Sequence, residues 1–80
     1  MITEQMKKRR MAEDAEMIGD PSQWPDEVLH LKTQPWVHKQ GTFPIFGYVD
    51  VANPLQVVLK DGGTEDFESI EKMVERWSVD

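Results

Sequence analysis

Residues 43–77 read FPIFGYVDVANPLQVVLKDGGTEDFESIEKMVERW and contain the clearest periodic patterns in the chain. Residues 43–51 place apolar side chains at every second position, which is the period of a half-buried strand. Residues 55–59 continue the same alternation. Because the connector at residues 52–54 is short, it predicts an antiparallel hairpin between these two strands.

Residues 64–77 predict an amphipathic helix after the hairpin. Thr64 follows two glycines and is a favourable N-cap, because its hydroxyl can accept a hydrogen bond from a free amide. At 100° per residue, five apolar side chains fall on one face. They are Phe67, Ile70, Met73, Val74 and Trp77. The hairpin and helix together predict a ββα unit over residues 43–77, with this C-terminal helix packed on one face of the sheet.

A second helix is predicted at residues 3–18, which are rich in strong helix formers and contain no glycine or proline. Met11, Ala15 and Ile18 form an apolar stripe at helical spacing. We therefore expect residues 11–18 to pack against the body and the basic residues upstream to project. Gly19 and the proline two residues later predict the end of this helix.

The remaining segments supply candidate strands at residues 28–31 and 36–39, with a turn at residues 40–42. Because an isolated hairpin is marginal in water, a third strand or a packed helix is required. The predicted fold is α+β: an antiparallel sheet of two or three strands, the C-terminal helix and an N-terminal helix. Residues 1–19 are expected to form a helix with a basic end, and residues 20–80 a single small α+β domain.

The charge of the chain is unevenly distributed. The net charge is −6, whereas residues 1–10 carry +3, so the other seventy residues carry −9. An acidic body repels phosphate and argues against a general nucleic-acid surface there. The chain has no cysteine, and no apolar run approaches the roughly 20 residues that span a bilayer. We expect a cytoplasmic protein without disulfides or a membrane segment.

No pattern in the sequence indicates catalysis. The only histidines, His30 and His38, would need Asp26 or Asp50 to complete a metal site, and structural sites usually have closer ligand pairs. Ordinary surface histidines are the preferred interpretation. No serine lies in the context of a nucleophile elbow. We predict no enzyme, no metal and no cofactor.

A charged helix is followed by Asp20, Pro21, Trp24 and Pro25 in a D-P-x-x-W-P element, and then by the sequence VLHLK. In this order of elements, residues 8–32 resemble small uncharacterised proteins encoded by bacteriophages. In those proteins the element precedes an L-P-L-K-like strand, and His30 stands here where that pattern has proline. The resemblance implies a phage accessory protein acting in the host cytoplasm, and it implies no activity.

Aromatic residues provide the main candidate for a binding surface. Phe46 and Tyr48 lie on the hairpin face opposite the C-terminal helix, with Val58 beside them. The N-terminal helix or Trp24 and Trp36 could cover this face, or the face could be an exposed patch; covering is preferred because aromatic side chains tend to be buried.

By elimination, the sequence predicts a protein that binds another protein as an adaptor, inhibitor or assembly factor. The candidate surface combines aromatic residues with the acidic face of the C-terminal helix. Its members are Trp24, Trp36, Phe46, Tyr48, Glu65, Glu68, Glu71 and Glu75.

Three alternatives remain open. A basic arm of Lys7, Lys8, Arg9 and Arg10 could neutralise phosphates of a nucleic acid. A solvated helix end is preferred, because no aromatic residue is interleaved for base stacking. The acidic body could mimic a nucleic acid, or the outer hairpin face could be buried in a homo-oligomer.

Overall fold

A five-stranded antiparallel sheet is the centre of the fold. The computed structural model describes residues 3–37 and 43–80. The elements are α1 (Glu4–Ile18), a 3-10 helix (Pro21–Gln23), β1 (Val28–Thr33), β2 (Phe46–Asp50), β3 (Asn53–Leu59), β4 (Thr64–Asp66), α2 (Ile70–Val74) and β5 (Trp77–Val79). The strand order is β4-β3-β2-β1-β5. The last strand therefore returns across the sheet to pair with the first.

The predicted sheet of two or three strands is wrong, because the chain forms five. The predicted hairpin is present as β2 and β3, and the predicted strand at residues 28–31 lies within β1. Residues 36–37 lie in a turn. The rest of that predicted strand, residues 38–39, and the predicted turn at residues 40–42 lie outside the described residues.

The predicted C-terminal helix over residues 64–77 is also wrong. Thr64 is not a helix cap, because it pairs with Val58 at the start of β4. The N-cap is Ser69, whose hydroxyl accepts a hydrogen bond from the Lys72 amide at 3.2 Å. Only α2 is helical, since Trp77 leaves the helix to pair with Thr33. Strand pairing at both ends thus limits the helix to five residues.

The N-terminal helix lies where the sequence predicts it. Thr3 caps α1 by accepting a hydrogen bond from the Met6 amide at 3.1 Å. Ile18 is buried, and Met11 and Ala15 pack partly buried against the core. The predicted apolar stripe is therefore confirmed.

One side of the sheet, called here the inner face, carries the hydrophobic core together with both helices. The core residues are Ile18, Trp24, Leu29, Leu31, Val49, Val57, Met73, Val74 and Trp77. Gly47 lies under this core, because a Cβ there would approach Val57 Cγ1 to 2.9 Å and the Trp77 ring to 3.5 Å. The glycine allows Trp77 to pack directly on β2.

The element at residues 20–25 seats a tryptophan in this core. The Asp20 carboxylate accepts hydrogen bonds from the side chains of Ser22 and Gln23, which lowers the pKa of Asp20. The resulting turn directs Trp24 inward, where its Nε1 donates to the Met17 carbonyl at 2.7 Å. In the structure, the element at residues 20–25 therefore serves folding, by placing Trp24 in the core.

Candidate functional site

The outer face of the sheet, opposite the helices, is the candidate functional site. Tyr48 of β2 pairs in register with His30 of β1 on one side and with Val58 of β3 on the other. These three side chains form a middle row across the face. Phe46 lies next to Tyr48 along β2, two residues away on the same side. An aromatic and apolar strip therefore crosses the outer face.

This strip lines an open groove of about 590 Å³. Phe46 is 40% exposed, and Tyr48 and Val58 are half-buried. Lys60 and Asp80 contribute charged groups to the lining. Apolar surface with a few polar groups is typical of binding sites, and the volume lies within their usual range.

The described part of residues 1–42 does not cover the groove as predicted. Ile18 of α1 packs with Met73 and Val74 of α2 in the core on the inner face. Trp24 is buried in the same core. In the described structure, α1 and Trp24 therefore lie on the inner face and leave the aromatic face exposed.

Trp36 lies on the helix side of the protein. Its Nε1 donates to the Glu75 carbonyl at 2.9 Å, and Lys7 Nζ lies 5.5 Å from its ring centroid. The ring thus joins the start of α1 to the end of α2. Of the predicted aromatic set, Phe46, which is exposed, and Tyr48, which is half-buried, lie on the outer face.

The predicted acidic residues divide between two roles. Glu65 lies in β4, and its carboxylate accepts hydrogen bonds from Arg76 Nε at 2.7 Å and Nη2 at 3.0 Å. It also accepts one from Trp77 Nε1 at 2.9 Å. The Arg76 hydrogen bond, aided by Trp77, lowers the pKa of Glu65. Glu65 therefore fastens an edge strand to β5.

The other three acidic candidates are exposed. They are Glu68, Glu71 and Glu75, located on α2 or beside its ends. Because α2 packs on the inner face, these carboxylates lie on the opposite side of the sheet from Phe46 and Tyr48. The two halves of the predicted binding surface are not brought together.

The basic segment is also divided. Arg10 Nε donates to Gln34 Oε1 at 2.9 Å, and Lys7 lies 3.6 Å from Glu4 and over Trp36. Lys8 and Arg9 are exposed. The four cations therefore do not project together as predicted.

A buried polar network that the sequence did not predict joins α1 to the sheet. Gln34 is fully buried, and its Nε2 lies within hydrogen-bond distance of Asp14 Oδ2 at 2.8 Å. It also lies near the carbonyls of Val74 and Trp77. Asp14 Oδ1 accepts from the Val79 amide at 3.1 Å. The sequence contains one signal of this network: Asp14 lies within the apolar stripe of α1, and a carboxylate buried there requires a hydrogen-bond partner.

The described residues contain neither a cluster of metal ligands nor a helix that could span a membrane. Among residues 3–37 and 43–80, no group of three or more histidine and carboxylate side chains is placed to hold a metal ion. His30 is exposed beside the groove, and His38 lies outside the described residues. In the same ranges, no helix has the length and apolarity needed to cross a bilayer.

No protein-family model, curated protein or solved structure matches this chain. The outer face is therefore assigned on its own geometry and chemistry.

Proposed function

We propose that this protein binds another protein through the outer face of its sheet, as an adaptor, inhibitor or assembly factor without catalytic activity. The observation that supports this proposal is the open aromatic groove around Phe46 and Tyr48. In an 80-residue chain, aromatic side chains are a large part of the available core material. Phe46 and Tyr48 lie on a face that the described residues leave open, so burial free energy remains there that a partner can recover.

The composition of the groove suits a protein partner. Protein interfaces are typically centred on aromatic residues and surrounded by a polar rim. Tyr48 and Val58 form the apolar centre, while His30 and Lys60 supply polar groups near its edge. A nucleic acid fits less well, because the net charge of −6 repels phosphate.

The resemblance of residues 8–32 to small phage-encoded proteins suggests a setting. We propose an accessory role in a bacterial host, directed at a host protein or at phage assembly. The D-P-x-x-W-P element serves folding here, so it does not itself supply the binding surface.

The test is affinity capture from a bacterial lysate with tagged wild-type protein and two double variants. F46A/Y48A removes the two aromatic rings of the groove, and E68A/E71A is the control on the helix side. We expect proteins retained by the wild type to be lost with F46A/Y48A and kept with E68A/E71A. Equal retention by all three, or loss only with the control, would contradict the proposal. Circular dichroism verifies that each variant is folded.

A further inference from the structure

Apart from Asp80, which lies beside His30 and forms an ion pair with Lys32, the charged side chains of the outer face are sorted along the strand direction. One end carries an acidic row, Asp50 and Asp66, which pair in register with Val28 and Gln56. The other end carries a basic row, Lys32 and Lys60. Lys32 pairs with Phe46, and the Lys60 amide donates to the Phe46 carbonyl at 3.1 Å. The aromatic strip lies between the rows.

The members of both rows retain capacity for a partner. Lys60 is exposed and makes no ion pair within the described residues. Lys32 lies 3.8 Å from Asp80, and both side chains remain partly exposed. Within the described residues, Asp50 accepts from the Ala52 amide and Asp66 from the Gln56 side chain, in each case through Oδ1. The rows are therefore open to opposite charges.

This arrangement is complementary to itself. Consider a second copy packed face to face, with the two-fold axis in the interface and perpendicular to the strands. The axis reverses strand direction, so the basic row of each copy lies over the acidic row of the other. The middle rows, with Tyr48 and Val58, meet each other. Aligned sheets pack in this way, with strand directions within about 30°.

We propose that the outer face binds a second copy of this chain in this arrangement. The inference rests on the proposed function, because it names the partner for the same surface. A polyanion lying along the strands would be repelled by Asp50 and Asp66. A second copy supplies the matching order of charges by symmetry, and it also covers the aromatic strip of its partner.

The dimensions of the face predict a weak dimer. Five strands about 4.8 Å apart, with five residues about 3.4 Å apart in β2 and three in β4 and β5, give a face of at most roughly 20 by 17 Å. Such a face is small beside the interfaces of obligate dimers, which bury about 2,000 Å² or more. Association is therefore expected to depend on protein concentration and, because of the charged rows, on salt.

Sedimentation velocity over a concentration series tests the inference with two charge reversals. K60E places a carboxylate against the acidic row, and D66K places an ammonium against the basic row. We expect each to raise the dissociation constant about tenfold, since the repulsion occurs twice by symmetry. An equimolar mixture of K60E and D66K is expected to associate again. E71K, on the helix side, is the matched control and should leave the constant unchanged.

A wild-type chain that stays monomeric at every concentration would overturn the second copy as partner. A dimer that is insensitive to both reversals, or a mixture that does not recover, would also overturn it. In either case, capture that depends on Phe46 and Tyr48 would still support the proposed function with a different protein. The two proposals therefore fail separately.

Discussion

The rings of His30 and Tyr48 lie edge to face across two strands, with centroids 6.4 Å apart and planes inclined at 60°. On the other side of the same two strands, Leu31 and Val49 are completely buried. One layer of sheet thus separates a packed core from an open aromatic surface. Substitutions on the two sides are expected to have different consequences.

Adjacent valines of β3 test this difference. Val57 is fully buried on the inner face, and Val58 is half-buried on the outer face. We expect V57A to lower the free energy of unfolding by about 2 kcal/mol, through lost burial and a cavity. V58A should cost less than about 1 kcal/mol, because less area is removed from contact. Urea denaturation of dilute protein measures both. Equal costs would indicate that the outer face is covered.

Gln34 tests the buried polar network. In Q34E a carboxylate replaces an amide 2.8 Å from the Asp14 carboxylate. It also faces two carbonyl oxygens to which it cannot donate. We expect a loss of about 3 kcal/mol or more at neutral pH, since the buried carboxylate keeps only the Arg10 Nε contact and otherwise faces acceptor oxygens and a second carboxylate. Part of the loss should be recovered at low pH, where the carboxyl group carries a proton.

The control for Gln34 is Q5E, which makes the same change at an exposed position of α1. Its effect should lie within about 0.5 kcal/mol. Thermal unfolding at several pH values compares the two. A Q34E protein as stable as Q5E would show that the network does not hold α1 on the sheet.

Glu65 makes stability depend on pH. Arg76 and Trp77 lower its folded pKa below the ordinary value of 4.5. A lowered folded pKa stabilises the fold above pH 4.5, and this contribution is lost as pH falls through the lowered value. E65Q should therefore melt below the wild type at pH 7, with the difference closing in acid. E68Q, an exposed control, should show no such trend. A pH-independent difference for E65Q would contradict the ion pair.

The start of α2 distinguishes the observed fold from the helix predicted at residues 64–77. S69A removes the hydroxyl that accepts from the Lys72 amide and should cost about 1 kcal/mol. It should also speed hydrogen exchange at that amide. T64A should leave the exchange of Lys72 unchanged, because Thr64 lies in β4. Faster exchange in both variants would favour the longer helix.

Local periodicity in the sequence determined part of this fold. The alternation at residues 43–51 and 55–59 predicts β2, β3 and their hairpin. The stripe of Met11, Ala15 and Ile18 predicts the buried side of α1. These features depend on which side chains share a face, and that follows from the helical or strand repeat alone.

Only the tertiary structure decided β4 and β5. Each has three residues, which is too short to show a period. Both form by pairing with distant segments, as Trp77 does with Thr33. The apolar positions at residues 67–77 fit one helix by spacing, yet all five side chains reach the core or its margin through the connection before α2, α2 itself and β5.

The candidate site shows the same division. The sequence identified Phe46 and Tyr48 as a pair on one face, and it placed Glu68 and Glu71 together. It could not determine whether α1 covers the aromatic pair or whether the acidic residues share its side. The side of the sheet on which α1 and the acidic residues lie depends on which face buries the larger apolar area against the helices. The free energy of that burial is a sum over contacts between segments far apart in the chain.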